Sequence, residues 1–400
     1  MSDVSERLAE LRAAGLERRL REVGGEQGPR VVLDGEEVLL LCSNNYLGLA
    51  THPAVREAAA EAAMRWGAGA GASRLISGSM TVHGRLEERL AAFERTEAAL
   101  LFGSGYLANT GTVSALARGG EVVFSDRLNH ASIIDGCRLA SAETFVYEHA
   151  DLDHLAWGLE RAAGRPALIV TDGVFSMDGD VAPLAGLAGL ARRHGCRLMV
   201  DEAHGTGALG PGGRGAVAAA GLEDEVDVIV GTLGKALGGY GAYVCCRREV
   251  RELLINVARP FVFSTALPPP VVAAAEAALA ELEADPGMVE RLRRNAAVIR
   301  GALAAEGLEV EPDGTQIVPI LVGEAADATA LCEAALSRGV FAQAIRPPTV
   351  PAGTSRLRLT VIATHREGEL RRAAAAIAGA WREGRGAGPR AEPGVLERAA

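Results

Sequence analysis

Among 41 basic side chains this 400-residue chain contains a single lysine, Lys235, and every other one is arginine. Arginine serves wherever only positive charge is wanted, but a guanidinium stays protonated and cannot act as an amine nucleophile. The retained lysine therefore marks a place where an amine is needed, and lysine is the side chain that joins carbonyl groups as a Schiff base. Chance retention is the plain alternative. The surrounding Gly231-Thr232-Leu233-Gly234-Lys235-Ala236 is not a nucleotide-binding P-loop. That motif needs glycine five positions before Gly234 and Ser or Thr after the lysine, where Ile229 and Ala236 stand. Thr232 leaves a hydroxyl beside the amine.

Other chemistry-bearing residues follow short apolar runs. Gly103-Ser104-Gly105-Tyr106 comes directly after Phe102 and before a helix-like stretch, which offers free backbone amides and a helix N-terminus to a phosphate. The same Gly103-x-Gly105-x-x-Ala108, with Asp126 after the next run, also fits a dinucleotide fingerprint, and a tight turn is the simplest reading. Ser125 to His130 places an imidazole that can stack on a flat ring or cap a helix. Ser176, in the loop after Thr171, can donate to a phosphate or a ring substituent. Asp201 ends a run of largely apolar residues, where a carboxylate is costly to bury without a cation, and a protonated pyridine nitrogen would supply one. A helix cap or metal ligand is the alternative for Asp201. His204, three residues on, can donate to a phenolate on the same ring. Together these features point to an aromatic aldehyde bearing a phosphate and a ring nitrogen.

The elements that must position these groups are legible as alternation. Apolar runs at Ala99 to Phe102, Val122 to Phe124, Phe145 to Tyr147, Ala167 to Thr171, Arg197 to Val200, Val226 to Val230 and Ala242 to Cys246 are separated mostly by helix-like stretches. Such repeated β-α-β order predicts an α/β fold with a large, mostly parallel seven-stranded sheet covered by helices, with ligands at its carboxyl edge. A helical stretch from Val271 to Glu306 is expected to break at Asp285-Pro286. Beyond it lies a smaller α/β C-terminal domain: strand (Ile317 to Val322), helix (Ala328 to Arg338), two strands (Phe341 to Ala344, Arg356 to Ile362) and a last helix to about Trp381. Leu8, Leu11, Leu16 and Leu20 predict an amphipathic helix over residues 1–22 that packs on something larger. The expected division is 1–44 (N-terminal helix and short strands), 45–280 (large cofactor domain), 281–385 (small domain) and 386–400 (disordered tail).

A formal net charge of −10 argues against a nucleic-acid or membrane-surface partner, either of which would need a basic face. No apolar run reaches the length of a membrane span, and the polar start MSDVSERLAELRAAG lacks a signal-peptide core, so a cytoplasmic protein is expected. Six scattered cysteines without CxxC or CxxH spacing predict buried thiols and no metal site.

The segments SNNYLGLA, TDGVFSMDGD, VDEAHGTGALG and GTLGKALGG, in this order, resemble the pyridoxal-phosphate (PLP) dependent α-oxoamine synthases, a fold type I family. These enzymes join an amino acid to an acyl thioester with loss of carbon dioxide, and the likeness spans roughly residues 15–380. SDRLNHASIIDGCRL and AIRPPTVPAGTSRLRLT are similar to the members that condense L-alanine with a pimeloyl thioester, carried on CoA or a carrier protein, in biotin biosynthesis. The resemblance implies that Lys235 is the Schiff-base lysine, His130 the ring-stacking residue, Asp201 the pyridinium partner and His204 the group on the ring phenolate. It implies cofactor contacts at Ser104, Gly105, Tyr106, Ser176 and Thr232, and a homodimer in which Ser264 and Thr265 reach the partner subunit's cofactor phosphate. Arg358 matches the arginine that pairs with the amino-acid carboxylate; Arg18 and Thr349 match acyl-substrate positions, and Asn45 lies near the site entrance. Gly234 stands where many fold type I enzymes carry serine, which removes one phosphate hydroxyl. Rival readings are another acyl pair, such as glycine with acetyl-CoA or succinyl-CoA, a nicotinamide-dependent dehydrogenase, and a non-catalytic PLP-binding regulator.

Overall fold

The computed structural model describes residues 3–162 and 164–386. Three strands near the N-terminus, β1 (Val23–Gly24), β2 (Arg30–Leu33) and β3 (Glu36–Leu40), precede seven that build the central sheet: β4 (Ala98–Phe102), β5 (Val122–Asp126), β6 (Glu143–Tyr147), β7 (Ala167–Asp172), β8 (Arg197–Asp201), β9 (Val228–Thr232) and β10 (Ala242–Cys246). The C-terminal part adds β11 (Ile317–Gly323), β12 (Val340–Phe341), β13 (Gln343–Ile345) and β14 (Ser355–Thr360).

The central order is β4-β10-β9-β8-β7-β5-β6. Neighbours pair in parallel except β10, which runs antiparallel to both β4 and β9. Only residues 233–241 connect β9 to β10, too short for the helical crossover that a parallel pair requires. The strand therefore folds straight back, and Lys235 lies in the return. Within β4, Leu100 and Phe102 pack into one apolar cluster and Ala99 and Leu101 into another, so the sheet is covered on both faces.

The helical stretch breaks as expected, into Pro269–Ala284 and Gly287–Ala305, because the residue before a proline is pushed out of the helical region. The small antiparallel sheet has the order β11-β14-β13. β12 leaves it to pair in parallel with β3, so N-terminal and C-terminal segments share one sheet.

Two expectations need correction. The N-terminal helix covers only Val4–Ala13 and buries no side chain. Gly15, at φ +66°, turns the chain out of the helix, and Leu20 ends fully exposed. The last helix runs from Glu367 to Gly386, past the expected end at Trp381. The tail expected from 386 lies, apart from Gly386, outside the described residues. Among the described residues no helix is long and apolar enough to cross a membrane.

Candidate active site

Strands β4, β5, β7, β8 and β9 deliver their following residues to one edge of the sheet. After β4, Ser104 caps the helix Gly105–Leu116, its hydroxyl accepting from the Leu107 amide at 3.2 Å. A methyl group built on Gly105 would meet nothing within 4 Å, so the helix N-terminus stands open for an anion. One turn on, the Asn109 amide donates both hydrogens, to Asp201 Oδ2 at 2.6 Å and to Ser132 Oγ at 2.9 Å. The Ser132 hydroxyl lies 2.7 Å from His130 Nδ1, which also accepts from the Ser132 backbone amide at 3.3 Å. An amide can only donate, so Nδ1 is an acceptor and the imidazole proton sits on Nε2, on a ring that remains exposed. One network thus joins the cradle, the buried carboxylate and the histidine.

Asp201 is 4% exposed, accepts from the Ala203 amide at 2.8 Å, and forms no ion pair among the described residues. Asp172 sits directly beside it in register on β7. Burial, reinforced by the charge of Asp201, pushes the Asp172 carboxyl well above its ordinary range. Burial thus favours the neutral form of Asp172, and Lys235 is a side-chain cation whose charge bears on the pair.

Lys235 is half-buried, with its amine 2.8 Å from His204 Nε2. Burial, with the charge of Arg358 adding to it, lowers the amine to about 8 against the opposing pull of Asp201 and Asp172. Burial, with Lys235 and Arg358 nearby, holds His204 well below its ordinary pKa, so its ring is neutral. Its Nε2 accepts from the lysine, which leaves Nδ1–H to donate to Tyr46 at 2.7 Å; the Tyr46 hydroxyl donates to Asn44 Oδ1 at 3.1 Å. Gln316 fixes the backbone from the other side, its amide donating to the His204 carbonyl at 2.8 Å.

Arg358, on β14, is 7% exposed and donates to the Ser176 carbonyl, bringing the small sheet against the loop after β7. Thr232 is committed to the return loop, donating to the Gly241 carbonyl at 3.1 Å and accepting from the Gly234 amide at 3.2 Å. Tyr106 is exposed, its hydroxyl 2.5 Å from Asp135. Ser264 and Thr265 line a small cleft with Gly103, Arg74 and His83. Arg18 donates to the Pro347 carbonyl at 3.3 Å, which places it beside exposed Thr349 in the connection between β13 and β14. Asn45 is buried, and its amide ties the Gln27 carbonyl at 3.0 Å to the Ala50 amide at 3.1 Å. Asn109, Ser132, Tyr46 and Asp172 are the site residues that sequence reasoning did not single out. Asn109 carried a weak signal, lying one helical turn beyond the Gly105 cradle.

These groups fit PLP: an amine, an open helix N-terminus, and two buried carboxyl groups, Asp201 and Asp172, that form no ion pair among the described residues. Asn109 Oδ1, buried without a partner among the described residues, adds an unused acceptor at the same place. The donor set therefore suits a phosphorylated pyridine aldehyde.

The chain matches the model of aminotransferase class I and II over residues 36–377. It is 57% identical over 375 residues to an 8-amino-7-oxononanoate synthase of Geobacter sulfurreducens, covering 93% of this chain and 96% of that protein. A protein of the same name from Anaeromyxobacter dehalogenans is 52% identical over 383 residues, covering 96% of each. Among solved structures, a serine palmitoyltransferase variant from S. paucimobilis with PLP and myriocin bound superposes with TM-score 0.91 at 33% identity, covering 95% of this chain and 97% of that one. An 8-amino-7-oxononanoate synthase from Francisella tularensis gives 0.74 at 29% identity, covering 86% and 98%. With these relatives and this constellation around Lys235, the chain belongs to the aminotransferase class I and II family of PLP enzymes and, within it, to the 8-amino-7-oxononanoate synthase family.

Proposed function

We propose that the protein condenses L-alanine with a pimeloyl thioester, on CoA or a carrier protein, giving 8-amino-7-oxononanoate, carbon dioxide and free thiol. The observation that carries this reading is the single lysine of the chain, set with a lowered pKa between His204 and the Asp201–Asp172 pair, with Arg358 close by. Relatives above 50% identity, whose name states the product, support the choice of substrates.

When bound at Lys235, the cofactor supplies an electron sink for the carbanion at the amino-acid Cα. Asp201 holds a proton on the ring nitrogen, and Asn109 fixes the angle of its carboxylate. The guanidinium of Arg358 pairs with the alanine carboxylate in a site too buried for water to screen the contact. With its amine lowered to about 8, Lys235 has a useful neutral fraction near neutrality and takes the α-proton of alanine. A carbon–carbon bond then forms between Cα and the thioester carbonyl carbon while the carbon–sulfur bond breaks and the thiolate takes up a proton. His130, with its proton on Nε2, donates to that carbonyl oxygen as charge develops there. The carboxylate departs as carbon dioxide, and Cα regains a proton. In this reading Ser264 and Thr265 serve the cofactor phosphate of a second subunit, Arg18 and Thr349 meet the acyl chain, and the enzyme works in the cytoplasm as a homodimer.

The test is the purified protein with PLP, L-alanine and pimeloyl-CoA, followed by thiol release and product mass. We expect ketone from alanine, and loss of both the visible band of lysine-bound cofactor and all turnover in Lys235→Ala. The close superposition on serine palmitoyltransferase favours a second reading with another amino acid and acyl chain. Turnover of glycine or L-serine in place of alanine would select it.

A further inference from the structure

Three adjacent parallel strands, β6, β5 and β7, end side by side at the edge that carries the site. Each contributes a charged residue just beyond or at its end: His149 after β6, Asp126 closing β5, and Asp180 in the loop after β7. His149 Nδ1 lies 3.0 Å from Asp126 Oδ1, and its Nε2 lies 2.9 Å from Asp180 Oδ2. The ring stands edge-on against Phe175, with centroids 4.4 Å apart at 88°. Burial disfavours the cation, but the hydrogen bonds to Asp126 and Asp180 outweigh it and raise His149 to about 10. Both ring nitrogens therefore donate at neutral pH, each to a carboxylate on a different loop.

The two anchors have separate jobs. Asp126 accepts from the Leu128 amide at 2.8 Å and the Ala150 amide at 2.9 Å, shaping the turn that ends in His130. Ala150 is held at φ +55°, a left-handed conformation unfavourable to alanine, so the turn after His149 persists only because its contacts hold it. Asp180 belongs to the loop in which the Phe175 amide donates to the Asp180 carbonyl at 2.9 Å and the Ser176 carbonyl receives Arg358. Asp178 in that loop pairs with Arg356. On one side of His149 is the residue over the ring, and on the other the residues that face the amino-acid carboxylate.

We propose that His149 is a positioning residue for the amino-acid site, bridging Asp126 and Asp180 to lock the His130 turn to the loop that seats Arg358. This rests on the reaction proposed above. The contacts of the imidazolium are to Asp126, Asp180 and Phe175, and it acts through the two loops it joins.

The holoenzymes of wild type, His149→Gln, Asp180→Asn and the double variant test it. Glutamine is uncharged and carries both its donors on one nitrogen, so it cannot replace two N–H groups on opposite sides of a charged ring. The readouts are the induced circular dichroism of the bound cofactor, which reports how its ring is held, and the dissociation constant of L-alanine from the change in cofactor absorbance. Each single variant is expected to weaken alanine binding about fivefold and alter the dichroism, with the double variant no worse than either single, as expected of one shared contact. Unchanged dichroism and affinity in both single variants, or losses that multiply in the double, would overturn the proposal. Should His149→Gln fail to fold, Asp180→Asn carries the same expectation, since Asp180 is partly exposed and its replacement is mild. The dichroism needs no acyl substrate, so a wild type that binds cofactor yet makes no ketone would sink the reaction while leaving this comparison decisive.

Discussion

At the scale of single residues, the site is a set of carboxyl and amine groups whose charge is decided by burial. Glu94 shows the same physics beneath the sheet. It is 1% exposed, accepts from the Tyr243 hydroxyl at 2.7 Å, and burial raises its carboxyl to about 8. A carboxyl whose folded pKa lies above the unfolded value favours folding only while protonated. Its contribution is complete below the unfolded pKa and is lost as pH rises through about 8. Glu94→Gln keeps an acceptor for Tyr243 and has no proton to lose. The variant should gain stability relative to wild type between pH 5 and pH 9 by on the order of 4 kcal/mol, read from denaturant midpoints. A difference between the two proteins that stays flat with pH would show that Glu94 is not held neutral.

At the scale of elements, the geometry depends on close approach of backbones around the lysine loop. Gly207 has φ +75°, and a methyl group there would sit 2.4 Å from the Ala236 Cβ, next to Lys235. Gly207→Ala therefore combines a left-handed backbone with an overlap and should cost about 3 kcal/mol of stability, measured by urea unfolding. A midpoint equal to wild type would mean that the loop can shift freely. The strands themselves were legible because four or five consecutive apolar residues between polar turns have few other ways to be buried. Their ends named Ser104, His130, Asp201, His204 and Lys235 from sequence alone. The direction of β10 was not legible, since it depends on the shortness of the connection and on space between β4 and β9. Nor was the end of the first helix, where the leucine spacing ran past the stop imposed by Gly15.

At the scale of the whole molecule, the proposed homodimer makes a prediction that a monomeric site cannot satisfy. If Ser264 and Thr265 complete the partner subunit's site, a Lys235→Ala chain and a Ser264→Ala/Thr265→Ala chain are each impaired alone. Mixed and reassociated in equal amounts, half the dimers are hybrids with one intact site each, so activity should recover to about a quarter of wild type. No recovery would place both segments in the same subunit's site. The cleft that Ser264 and Thr265 share with Gly103 shows how near they lie to the cradle of their own chain, which makes the mixing experiment informative either way.

The amino-acid sequence by itself determined which chemistry is available: one amine among arginines, a glycine-flanked helix start, and a carboxylate and histidine at the end of one apolar run. These are local facts, fixed by residue type and by spacings of a few positions. Only the tertiary structure decided how they are held. Asn109 meets Asp201 across 92 positions, Tyr46 meets His204 across 158, and His149 joins Asp126 and Asp180 at or beyond the ends of three different strands. Such pairs leave no periodicity in the chain, because the sheet order, rather than sequence distance, brings them within hydrogen-bonding range. The charge states follow from the same source: Lys235 is lowered and Asp172 raised by burial that exists only once the strands have assembled.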